Sequence, residues 1–109
     1  MSYEDVQSCV SAVVPCAHMA WPKGSAPPLP WAVFYADSEE PFGDDGGFGS
    51  VTSWVVELYQ RSMDAALERS LEGALREAFG PFGKSESWVA DEGCLMTAYY
   101  FEEFREGDE

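Results

Sequence analysis

Basic residues are scarce in this chain: six Lys and Arg stand against 20 Asp and Glu in 109 residues, a formal net charge of -14. That excludes a sequence-independent grip on nucleic acid, whose affinity comes from cations neutralising phosphates. Long apolar runs are missing as well, and no stretch approaches the roughly 20 residues that a membrane-spanning helix needs. Met1-Ser2-Tyr3-Glu4-Asp5 has neither the basic start nor the apolar stretch of a signal peptide. The expectation is a cytoplasmic protein without a membrane partner. Cysteine is confined to Cys9, Cys16 and Cys94, an odd number that reads as reduced thiols rather than a disulfide framework. Histidine occurs once, as His18, and there is no CxxC or HxxxH spacing to suggest zinc. No glycine-rich loop joins a strand to a helix, which removes the usual phosphate cradle, and there is no internal repeat.

What is present is a folding composition. Apolar residues make up 46% and aromatics 15%, enough apolar surface to offset the entropy of ordering, and the length suits one domain over residues 1–109. Tyr3, Val6, Val10 and Val13 fall on one helical face, with Ser2 as cap, Asp5 three residues on, and Pro15 closing the segment. Cys16 to Trp21 reads as a modest strand, followed by a proline-stiffened connector from Pro22 to Pro30. Trp31 to Ala36 is a dense aromatic and β-branched run expected at the sheet centre. Residues 37–50, with Asp37, Glu39, Glu40, Asp44 and Asp45, read as a long acidic hairpin loop. In the next run Trp54, Val56 and Leu58 share one face and Ser53, Glu57 and Tyr59 the other, so one face meets a core and the other something wetter.

Asp64 suits a helix cap, and Leu67, Leu71, Leu75 and Phe79 recur every four residues until Gly80-Pro81. Glu68 and Glu72 precede Arg76 on the side of that helix expected to face solvent. Ser85 to Ala90 and Leu95 to Phe104 form a closing hairpin around Asp91-Glu92-Gly93, and residues 105–109 read as a flexible acidic tail. The order α-β-β-β-α-β-β predicts an α+β fold: one mixed or antiparallel sheet with both helices packed on one face.

Candidate chemistry is thin. Cys16 and His18 lie two apart on a strand, hence on one face, yet nothing marks a partner to orient the imidazole for nucleophilic catalysis. The acidic loop fails the calcium pattern, because the sixth position counted from Asp37 is Phe42 where glycine is needed. Asp44-Asp45 and Glu102-Glu103 are adjacent residues that a strand would point to opposite faces, with no pocket to join them. The expectation is a protein that is not an enzyme, with no catalytic residues, no metal and no cofactor.

Taken in order, Pro30-Trp31-Ala32-Val33-Phe34-Tyr35, Phe42-Gly43-Asp44-Asp45-Gly46, Val55-Val56-Glu57-Leu58-Tyr59-Gln60, the helix from Asp64 to Phe79, Ser85-Glu86-Ser87-Trp88-Val89 and Leu95 to Glu103 resemble the small tail terminator (tail completion) proteins of long-tailed bacteriophages and prophages. The likeness runs from Ser2 to Phe104. It departs after the loop, where relatives commonly carry basic residues and this chain has Gly46-Gly47-Phe48-Gly49-Ser50-Val51. The resemblance implies a homo-oligomeric ring, usually of six subunits, that ends tail-tube polymerisation and docks to the neck or connector protein. It also implies a place in the virion at the tail-neck junction, after assembly in the host cytoplasm.

Two physical arguments are compatible with such a ring. Carboxylates lining a lumen repel passing DNA within a Debye length of roughly 8 Å, which would suit Glu39, Glu40, Asp44 and Asp45 to the lumen wall. Aromatics exceed what two short helices can cover, so Trp31, Trp88, Tyr99 and Phe101 are candidates for the contact between subunits. A cyclic ring makes that contact heterologous, with two different patches meeting. The rival within the same setting is a neck or head-closure protein. The rival from another class is an acidic module that mimics DNA, though the charge clusters in one loop and one tail rather than at phosphate-like spacing.

Overall fold

The computed structural model describes residues 3–42 and 49–106. Two helices, α1 (Tyr3–Ser11) and α2 (Ala65–Phe79), accompany five strands: β1 (Cys16–His18), β2 (Trp31–Phe42), β3 (Gly49–Gln60), β4 (Gly83–Val89) and β5 (Cys94–Glu106). The chain order is the α+β order expected from the sequence. The strands form one mixed sheet in the order β1-β2-β3-β5-β4, with β1 parallel to β2 and the remaining neighbours antiparallel.

The centre of the sheet is β3, not the Trp31 run. The reason is β5, which returns along β3 from Gln60↔Leu95 to Gly49↔Glu106 and leaves β2 with only the three residues of β1 outside it. β1 is short because Met19 takes a left-handed backbone (φ 68) immediately after it and turns the chain away.

The expected loop over 37–50 is also corrected. Pairing of β2 with β3 shifts register between Ala36 and Ser38, a bulge at Asp37, and then continues to Phe42↔Gly49. Glu39 and Glu40 are therefore strand residues whose backbones pair with Thr52 and Val51, whereas Asp44 and Asp45 lie outside the described residues. At the other end of the chain, Arg105 and Glu106 extend β5 opposite Ser50 and Gly49, so the strand runs into the stretch read as tail.

Both helices pack on one face, as their apolar stripes require. Val6 and Val10 of α1 and Leu71 and Leu75 of α2 meet Phe34, Trp54, Val56, Leu58, Tyr99 and Phe101 in one buried cluster. α2 begins where Asp64 accepts a hydrogen bond from the Leu67 amide at 3.1 Å, and it ends at Gly80 (φ 90), whose amide donates to the Arg76 carbonyl. The Ser2 cap expected for α1 falls outside the described residues. At about 3.3 Å per residue the longer strands reach roughly 40 Å, against about 22 Å for α2 at 1.5 Å per residue. The helices therefore cover only part of one face, and the molecule is elongated at 47 × 29 × 23 Å.

Leu75→Ala is expected to cost about 2–5 kcal/mol, because the site lies between α2 and the sheet with no solvent to fill it. Asp64→Ala, which removes only the cap, should cost about 1 kcal/mol. Urea unfolding followed by far-ultraviolet circular dichroism measures both.

Candidate functional site

The helix-free face of the sheet is laid out by strand register. One cross-strand row reads Trp31, Tyr59, Met96 and Ser87; the next Val33, Glu57, Ala98 and Ser85; the next Tyr35, Val55, Tyr100 and Gly83. Val33, Val55 and Ala98 are buried although no helix covers them, because the larger side chains of the neighbouring rows close over them. At the centre stands Glu57. Tyr35 donates its hydroxyl to Glu57 Oε2 and Tyr59 donates to Oε1, each at 2.8 Å. Burial, followed by the hydrogen bond to this carboxylate, pushes the Tyr35 hydroxyl up to about 12 and raises Tyr59 in the same way. Both phenols therefore stay protonated and act as fixed donors at neutral pH. Trp31 packs on Tyr59 with ring centroids 4.7 Å apart, and Trp21 from the connector packs on Trp31 at 6.1 Å. Together with Glu92 at the β4–β5 turn they border a groove of about 670 Å³.

A second polar centre joins α2 to β4 on the other face. Lys84 donates to Glu68 Oε1 at 2.9 Å and to Glu72 Oε2 at 2.8 Å, Gln60 donates to Glu68 Oε2 at 2.9 Å, and Tyr99 donates to Glu72 Oε2 at 2.9 Å. Glu68 is buried, so the expectation that Glu68 and Glu72 face solvent is overturned. The reason lies in β4: Lys84 reaches across the edge of the sheet and replaces water as the partner of both carboxylates, which α2 presents one turn apart. Arg76, read as their helical partner, lies over the Phe82 ring at 5.0 Å. Hydrogen bonds to Glu72 and Glu68 raise the Lys84 ammonium to about 12. Burial alone would raise the Glu72 carboxyl, but the Lys84 and Tyr99 donors outweigh it and hold it below the usual range.

The candidates for a subunit contact divide. Tyr99 (0% exposed) and Phe101 (3%) lie in the chain's own core, under α2 and Phe79, and cannot reach a neighbour. Their alternation along β5 turns them toward the helices, while Tyr100 between them points to the free face and is exposed. Trp88, at 60% exposed, stands on the outer strand, and Trp31 is half-buried on the helix-free face. Cys16 and His18 share a face as the spacing required, but burial and then the nearby Cys9 thiol push the Cys16 thiol up to about 12, so it is not a thiolate at neutral pH. The His18 ring packs on Tyr3 at 4.5 Å and Phe34 at 5.1 Å. Among the described residues no group of three or more His, Cys, Asp or Glu could hold a metal ion, and no helix is long and apolar enough to cross a membrane.

No protein-family model matches the chain, and no curated protein matches it in sequence. Its fold is similar to that of a chain in a solved structure of the virion of a native gene transfer agent particle. The TM-score is 0.62 at 14% identity, over 94% of this chain and 84% of that one.

Lys84→Met leaves buried Glu68 without its cation. The expected loss is about 1–3 kcal/mol by urea unfolding, less than for a fully buried pair because Lys84 is a third exposed. Since the folded ammonium titrates above its ordinary 10.5, its contribution is complete below that pH and disappears as pH rises through about 12. Over that window the urea midpoint should fall, and fall less steeply in Lys84→Met, where the raised tyrosines and the raised Cys16 thiol remain.

Proposed function

We propose that this chain is a structural protein of a phage-like virion: a tail terminator whose copies close into a ring on the tail tube, probed from the other side by the neck. The observation that carries the reading is the fold shared with a gene transfer agent virion chain over 94% of the sequence. The ordered sequence resemblance to tail terminators supports the finer role. A ring needs two unlike patches, and the sheet supplies two unlike edges. β4 is exposed along nearly its whole length and carries Trp88, while past Phe34 no described strand pairs with the outer side of β2. In such a ring a charge of -14 per copy would keep DNA from adhering to the wall. The role needs no covalent chemistry, and we assign none.

Electron microscopy of purified protein, alone and mixed with tail tubes, tests the reading. Rings that bind tube ends are expected; a monomer that ignores tube ends at high concentration overturns it. Rings that bind only head-neck particles would move the protein to the head-closure role. Trp88→Ala should weaken ring assembly about 30-fold in sedimentation, the effect of roughly 2 kcal/mol at an interface hot spot, with the urea midpoint unchanged because the side chain packs little within the chain.

A further inference from the structure

The groove on the helix-free face has a composition that the ring itself does not call for. Its walls are aromatic, from Trp21, Trp31 and Tyr59, and its charged lining consists of two carboxylates, Glu57 and Glu92, against one ammonium, Lys23. Glu57 is held in place from both sides: each carboxylate oxygen accepts one tyrosine hydroxyl at 2.8 Å. A carboxylate has about four acceptor positions, so roughly two are not taken by these tyrosines, and Glu57 lines the groove. A fixed carboxylate beside aromatic faces suits a planar cation, which forks onto the two oxygens and stacks on the rings.

We propose that this groove docks an arginine side chain carried by a basic segment of another protein. Charge decides between that occupant and a second copy. The chain has 20 acidic residues and only six basic ones, and of those Lys84 is committed to Glu68 and Glu72 and Arg76 to the Phe82 ring. A copy would bring mainly carboxylates to a groove already rich in them, whereas a basic protein would find complementary charge over the whole approach. The inference does not depend on the virion assignment, since a protein in any setting could use the groove.

The test titrates the full chain with an end-blocked Gly-Gly-Arg-Gly-Gly peptide and follows the four tryptophan indole N–H signals by nuclear magnetic resonance. Saturable shifts at Trp21 and Trp31, with Trp54 and Trp88 unmoved, are expected. The same peptide with neutral citrulline in place of arginine should leave all four unmoved. Glu57→Gln should weaken binding about fivefold, the scale of one partly exposed charge pair, while Glu86→Gln, an equal change of net charge on the opposite face of β4, should not. If Glu57→Gln proves unfolded in its own spectrum, Glu92→Gln at the rim carries the test with an expected weakening of about twofold. Unsaturable shifts spread over all four indoles, equal loss in Glu57→Gln and Glu86→Gln, an unchanged Glu92→Gln, or citrulline binding as arginine does would each overturn the proposal. So would self-association that Glu57→Gln abolishes.

Discussion

Two helices of 9 and 15 residues have to serve a sheet whose three longest strands run to 12 or 13. That shortage of cover governs most of what the molecule does with its side chains. Where the helices reach, the sheet buries Phe34, Val56, Leu58 and Tyr99 in the ordinary way. Where they do not, the sheet has to protect itself. It does so with tall residues, Trp31, Tyr35, Tyr59 and Tyr100, leaning over small ones, Val33, Val55 and Ala98. The tyrosine hydroxyls are satisfied by Glu57 or, for Tyr100, placed against Ser85 Oγ at 3.1 Å. A tyrosine suits this task because it seals with its ring and leaves a polar end for solvent or a partner.

The same shortage explains the ion cluster at the sheet edge. β4 has no helix above it and is exposed residue by residue. Lys84 ties it to α2 through Glu68 and Glu72, and Gln60 joins the far side of Glu68 to the end of β3, while its side-chain Oε1 accepts from the Asp64 amide at 3.0 Å. One short polar chain thus fixes the position of the outer strand, the start of α2 and the end of the central strand. Buried carboxylates are costly unless fully paired, and here the pairing is supplied by residues from three separate elements.

How much of this could be read beforehand follows from how local each signal is. α2 was legible, because its cap at Asp64, its four-residue leucine repeat and its stop at Gly80 all lie within one short segment. The two faces of β3 were legible for the same reason: alternation is written along a single strand. The solvent-facing reading of Glu68 and Glu72 failed because their partner lies 16 and 12 residues away on β4, and nothing in the helix itself indicates that Lys84 will stand opposite. Composition counts the aromatics at Tyr99 and Phe101 without saying which way a strand turns them, so it suggests an interface where the structure has core. Alternation along β3 puts Glu57 on the wetter face, but the clasp of Tyr35 and Tyr59 around it requires the β2–β3 register. The acids after Ala36 suggested a loop because a bulge at Asp37, invisible in composition, lets the hairpin run on.

Met19 holds a backbone conformation that residues other than glycine rarely adopt. By bending the backbone there, the chain forgoes the extra ladder bonds that a longer first strand would make with β2. Beyond Phe34 the outer side of β2 is thus left without a pairing strand among the described residues by a single torsion angle rather than by any bulky guard.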